Sequence, residues 1–221
     1  MSAKLHTQLK SLLPILLGLY TPMLILVAMI VLVGLQLSIP MADLTRDPSA
    51  TTGDSPFIGA LSNFGVLFWC ASVAICFFTF ALLQTTGSLG RFSSFFLFGG
   101  LISFILLLDD LFLFHETVFP LYLNIPEKLV FLSYGLMIIG YVVRFRKLIL
   151  QTDFIFLILA FGLFGLSIVI DLLELKISIL FEDGSKLFGI VSWFGYFAIT
   201  CFRVVKQITL QPAEKKEQRF S

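Results

Sequence analysis

The side chains best suited to acid–base or metal chemistry in this chain gather in three short stretches. Asp109 and Asp110 stand side by side at the end of an apolar run. His115 and Glu116 follow a few residues later, and Asp171 and Glu174 sit in a further apolar segment. An ionised acid at the centre of a membrane helix costs about 2.5–3.5 kcal/mol on the insertion scale. Two adjacent ones also repel, so one of the aspartates binds a proton unless a cation is present. The pair therefore suits either a proton acceptor or a set of metal ligands. His115-Glu116 would add an imidazole and a carboxylate, a combination fit for zinc, iron or manganese. One histidine among several carboxylates fits calcium, manganese or magnesium as well. Asp171 and Glu174, three residues apart, share one helix face. The plainer alternative ends the helix at Leu108, solvates both aspartates, leaves His115 at an interface, and pairs Glu174 with Lys176 or Lys186.

The composition of the chain excludes an ordinary soluble domain. Hydrophobic residues make up 58% of the 221 and charged residues only 13%, against about 25% charged in soluble domains. With a formal net charge of +1 and no basic cluster in the body, nucleic acid is not expected as a partner. Six segments approach the roughly 20 apolar residues that span a bilayer: 12–37, 57–83, 93–114, 129–143, 154–173 and 187–202. The fold class is therefore an all-α polytopic membrane bundle, forming one domain over 1–210 with a polar tail at 211–221. Its first apolar run follows Lys4 and Lys10 as a signal peptide's would, and Ser38–Ala42 resembles a cleavage site. It is too long for a signal sequence and reads as a retained helix, bent or loosened at Pro14 and Pro22. The fourth and sixth segments are short and would borrow turns from Pro126–Lys128 and Arg203–Val205.

Lysine and arginine are unequally shared between the two sides, 11 against 4, with both termini on the richer one. The positive-inside rule then makes both termini cytoplasmic. Eleven of the 14 acids fall on the other side, which describes an acidic outer mouth. Cys70, Cys76 and Cys201 lie within spans and read as small apolar residues.

Within lipid, helices associate through small and polar residues. Stripes at helical spacing are Gly99, Ser103 and Asp110 on the third helix and Ala160, Ser167, Asp171, Glu174 and Ser178 on the fifth. The sixth offers Ser185, Gly189, Ser192 and Tyr196, and the second Ala60, Asn63, Cys70 and Ala74. Asp109 is rotated about 100° from Asp110 and shares a face with Glu116. The third span is drawn to 114; if its helix continues to Phe119, where Pro120 would stop it, the two aspartates sit deeper. In Glu182-Asp183-Gly184-Ser185, Gly184 reads as a turn and Asp183 or Ser185 as the N-cap of the last helix. The stretches Asp110–Lys128 and Asp171–Lys186 each run from acidic helix end to lysine to aromatic helix, a hint of a repeated hairpin.

Thr45-Arg46-Asp47-Pro48, Pro56–Asn63, the Asp109–Glu116 run and Glu182–Lys186 together resemble cyanobacterial-type multipass inner-membrane proteins. That resemblance implies a bacterial cell-membrane location and no assigned activity. Three functions fit the residues. The first is cation binding, proton or divalent metal, by a permease or accessory subunit, with Asp110, Asp171 and Glu174 at the core and Asp109, His115 and Glu116 around them. Its inner half offers only Ser, Thr, Gln and Tyr as a path. The second is a metal-dependent enzyme acting on membrane lipid, which requires a lateral opening at the site. The third is an assembly partner whose acids hold helices together or bind another membrane subunit. No serine-nucleophile motif or phosphate-binding glycine loop accompanies these residues, so the balance leans away from an enzyme.

Overall fold

The computed structural model of the chain is helical almost throughout, with no strand among the described residues. The described residues are 2–46, 48–55, 57–86, 90–172 and 179–217, with side chains except at 2–11, 15, 19, 86, 171–172, 179 and 211–217. Glu174, and the side chain of Asp171, therefore lie outside what the structure describes, as do Lys176 and Ser178.

The chain divides into two compact units, residues 1–58 and 59–221. In the first, α1 (Ser2–Leu37) continues as one helix through Pro14 and Pro22. Ser38 ends it with a positive φ of 55°, and the Ile39 N–H donates to the Gly34 carbonyl at 3.0 Å. Two single-turn helices, α2 (Met41–Thr45) and α3 (Pro48–Thr52), follow.

The second unit contains α4 (Ala60–Thr86), α5 (Gly90–Phe112), a π-helical turn (Phe114–Val118) and α6 (Phe119–Leu123). It continues with α7 (Glu127–Ile149), α8 (Ile155–Leu172) and α9 (Ile179–Glu217). Among the described residues, α1, α4, α5, α7 and α9 contain stretches long and apolar enough to cross a membrane, while the apolar part of α8, Ile155–Ile170, is shorter. Leu132, Leu136, Ile139 and Val143 of α7 are exposed, the outward stripe that such helices leave to lipid.

Packing follows the order α7–α5–α4–α9–α8. The two ends of this series do not close on each other: no described Cα of α7 lies within 8 Å of one in α8. Phe95 is wholly buried at the centre, with ring centroids 5.4 Å from Tyr141, 5.6 Å from Phe145 and 5.9 Å from Phe197. Polar links tie the helices where lipid gives no hydrophobic drive to associate. Trp193 Nε1–H donates to Ser103 Oγ at 2.9 Å, and Ser103 donates in turn to the Gly99 carbonyl at 2.8 Å. Gly99 is needed there, since a Cβ would come within 2.6 Å of the Phe197 ring.

Three expectations are corrected. On α4 the expected inward stripe points out: Asn63, Cys70 and Ala74 are exposed, and the buried face is Gly65, Trp69, Ser72, Cys76, Thr79 and Leu83. Small residues do lie on that face, in a different phase from the expected stripe, and on α5 Gly100 makes room for Phe77 and Cys76 of α4. On α9 neither Asp183 nor Ser185 is an N-cap and Gly184 is no turn, because the helix begins at Ile179. The Ser185 hydroxyl is satisfied by the Phe181 carbonyl at 2.7 Å instead. The third span, drawn to 114, breaks after Phe112, where Leu113 takes φ 53°, ψ 45°. Pro120, expected to stop an extended third helix, opens α6 instead.

Candidate functional site

The break at Leu113 decides where the acidic residues go. A helix start leaves N–H groups without intrahelical partners, and the π turn begins with that shortage. The Asp109 carboxylate lies over it, and the His115 backbone N–H donates to Oδ1 at 3.0 Å. The same carboxylate meets the ring of that residue, His115 Nδ1 to Asp109 Oδ2, at 2.6 Å. Tyr134 of α7 donates its hydroxyl to Oδ1 at 2.8 Å. Asp109 is 4% exposed and His115 4%, so neither is the solvated residue that a helix ending at Leu108 would have left.

Asp110, next in the chain, faces other helices. Trp69 Nε1–H of α4 donates to Oδ2 at 2.8 Å, and Lys186 Nζ of α9 lies 2.8 Å from Oδ1. The two neighbouring carboxylates thus have separate cations, His115 and Lys186. That removes the repulsion expected of an adjacent ionised pair. Asp109 and Glu116 do not share a face; instead both meet His115, whose Nε2 lies 3.3 Å from Glu116 Oε1.

Burial works against a charge on His115, but the hydrogen bonds to Asp109 and Glu116 outweigh it and raise its pKa from 6.5 to about 9. Glu116 is held below the ordinary glutamate value, chiefly by its hydrogen bond to His115. At neutral pH the ring is an imidazolium, donating from both nitrogens.

These groups line a cavity of about 420 Å³. Trp69 and the end of α5 form its floor with Asp109, Asp110 and His115. One wall is α7, with Glu127, Phe131, Tyr134, Gly135 and Ile138. The opposite wall is α8 and α9, with Phe164, Ser167, Ile168, Glu182, Asp183, Lys186 and Ile190. Trp69 stacks on Phe164, with centroids 6.1 Å apart and planes inclined at 11°, and Phe131 packs against the His115 ring at 5.0 Å.

Of the six residues expected at the site, the structure therefore brings together Asp109, Asp110, His115 and Glu116. Asp171 and Glu174 lie outside the described side chains. Among the described residues no group of three His, Cys, Asp or Glu side chains is arranged to hold a metal ion. Asn63 is exposed and Lys128 projects outward, so the two lysines of the suspected repeat occupy unlike places. Trp69, Tyr134 and Lys186 belong to the site but were not selected by sequence reading. For Trp69 and Tyr134 the available signal was the polar-tipped aromatic, which seeks a partner when buried. For Lys186 it was a cation one turn past Glu182-Asp183 on a helix rich in inward aromatics.

Residues 23–200 match the family model described as Domain of unknown function (DUF8692). The chain belongs to that family. Every residue of the cavity lies inside the stretch matched to DUF8692, whose description assigns no activity. No curated protein and no solved structure matches the chain.

Proposed function

We propose that this DUF8692 protein is a cell-membrane protein that binds a proton as its cation, held by His115 between Asp109 and Glu116, in a permease or as the accessory subunit of one. The observation that carries the reading is the doubly engaged imidazole, with ring nitrogens 2.6 Å and 3.3 Å from two carboxylates. A histidine so placed keeps a proton and has no nitrogen lone pair to give a metal. Asp110, already engaged by Lys186 and Trp69, is likewise a poor metal ligand. In this reading α8 is a sixth span: its 18 residues reach about 27 Å at 1.5 Å per residue, close to the hydrocarbon thickness of about 30 Å. Both termini are then cytoplasmic, on the side richer in lysine and arginine, and the cluster lies at the outer end.

The test is proton flux into proteoliposomes under an imposed pH gradient, comparing wild type with His115→Gln and Asp109→Asn, each first checked for folding by size-exclusion profile. Flux above empty vesicles in the wild type, lost in both folded variants, supports the proposal. Equal flux in His115→Gln and wild type overturns it.

A further inference from the structure

At the end of the bundle opposite the acidic cavity, four cations meet without an acid among them. Arg91 lies in the first turn of α5, and Arg144, Arg146 and Lys147 stand at the end of α7. Though far apart in the chain, all four line one groove of about 820 Å³. None has an ion-pair partner among the described residues, and no described acidic side chain lines the groove. Asp153, the acid nearest the α7 cations in sequence, is engaged by Arg203 of α9 at 2.7 Å instead.

The helix dipole accounts for two of these cations. Arg146 and Lys147 occupy the last turn of α7, where the negative end of the helix favours a positive charge. Arg91 is the opposite case. It sits at the positive end of α5, and no acidic residue of that first turn offsets it. It also shares the groove with three like charges. A cation set against both the dipole and its neighbours costs free energy unless an anion lies among them.

The surroundings select the source of that anion. Val143, Phe145 and Leu148 give the groove an apolar side, and the Arg144 guanidinium lies over the Phe145 ring at 5.5 Å. Val143 is also the last residue of the exposed stripe Leu132, Leu136, Ile139 and Val143, which follows one face of α7 at helical spacing. A soluble anion has no use for that stripe. A phospholipid uses both features, its phosphate among the cations and an acyl chain along α7. Basic pockets at the ends of membrane helices bind anionic headgroups in this way. Phosphatidylcholine fits worse, because its own ammonium would enter the same positive field.

We propose that this groove holds the headgroup of an anionic phospholipid, with its phosphate between Arg91 and the α7 cations and an acyl chain along the Leu132–Val143 stripe. The inference needs only that α5 and α7 cross the membrane, so it stands or falls apart from the proton reading.

The experiment titrates the full chain in detergent with phosphatidylglycerol and, separately, with phosphatidylcholine, and reads retained lipid by native mass spectrometry. Expected is one tightly held phosphatidylglycerol per chain, bound about fivefold more weakly by Arg91→Gln, the effect of one basic residue at a membrane surface. Lys206→Gln removes an exposed cation of α9 outside the groove and should leave binding unchanged. Equal losses in the two variants, or none in Arg91→Gln, overturn the proposal. Thermal unfolding separates a structural role. In phosphatidylcholine alone Arg91→Gln should be at least as stable as wild type, since it removes an opposed cation, and added phosphatidylglycerol should reverse the order. A variant less stable in both lipids overturns the proposal. So does displacement of phosphatidylglycerol by inorganic phosphate at constant ionic strength, which would make soluble phosphate the occupant.

Discussion

Lys186 and Asp110 meet at 2.8 Å across two helices that have no other ion pair between them among the described residues. The lysine lines the cavity, and its ammonium neutralises the carboxylate that Trp69 also holds. Asp110 is well buried, its side chain 8% exposed, whereas that of Lys186 is 37% exposed.

Removing the cation should leave the carboxylate uncompensated. A fully buried pair loses about 3–5 kcal/mol when one partner goes, and the exposure of Lys186 reduces that to about 2 kcal/mol. Lys186→Met is therefore expected to lower stability by about that much in reversible unfolding in detergent, and Asp110→Asn in the same chain should restore most of it. If the double variant is as unstable as the sum of the singles, the two residues are not coupled.

His115 makes stability depend on pH in a defined direction. Its folded pKa, about 9, is above its ordinary 6.5, so its contribution is complete below about pH 6.5 and is lost as the pH rises through 9. The contribution is at most about 3 kcal/mol. The unfolding midpoint should fall between those limits for the wild type and stay flat for His115→Gln. Glu116, held below its usual value, acts oppositely: its contribution is present above about pH 4.5 and is lost in more acidic solution.

Tyr134→Phe removes one of three hydrogen bonds to Asp109 and keeps the ring. The predicted cost is about 1–2 kcal/mol. With fewer donors, Asp109 becomes the stronger acceptor toward His115, so the imidazole pKa should rise further. Histidine-selective NMR titration measures this, and a fall in that pKa would show that Tyr134 does not act through Asp109.

Gly99→Ala places a methyl against Phe197 at 2.6 Å. Over-packing of this type costs about 1–3 kcal/mol, because the Phe197 ring is wholly buried and has little room to move. The same substitution at Gly135 meets no neighbour within 4 Å and is expected to be neutral or mildly stabilising. The two thermal unfolding curves, taken side by side, separate steric from helix-propensity effects.

Much of this arrangement could be read from residue order. The five helices long enough to cross a membrane follow from apolar length, and the Asp109–Glu116 run stood out because carboxylates are costly beside Leu and Phe. What could not be read are the partners supplied by other helices. Trp69, Tyr134 and Lys186 lie on α4, α7 and α9, and spacing along one helix says nothing of which neighbour faces it. The small-residue rule succeeded on α5, where Gly99 and Ser103 are buried, and on α4 it picked the wrong phase, since the small residues buried there are Gly65, Ser72, Cys76 and Thr79. Opposite Gly99 and Gly189 stand Phe197 and Phe164.

The left-handed backbone at Leu113 was also invisible, since leucine rarely adopts it and nothing local asks for it. An L-residue in that region gives up about 1–2 kcal/mol, and here no glycine lightens the cost. The reversal is held by Asp109, which bonds the His115 N–H and ring, and Tyr134 of α7 fixes that carboxylate from outside the turn. A peptide covering residues 100–123 alone, placed in a helix-promoting solvent, would lack that grip. It should form one uninterrupted rod past Leu113, bending only when the rest of the chain has assembled around it, which makes the elbow a late event in folding.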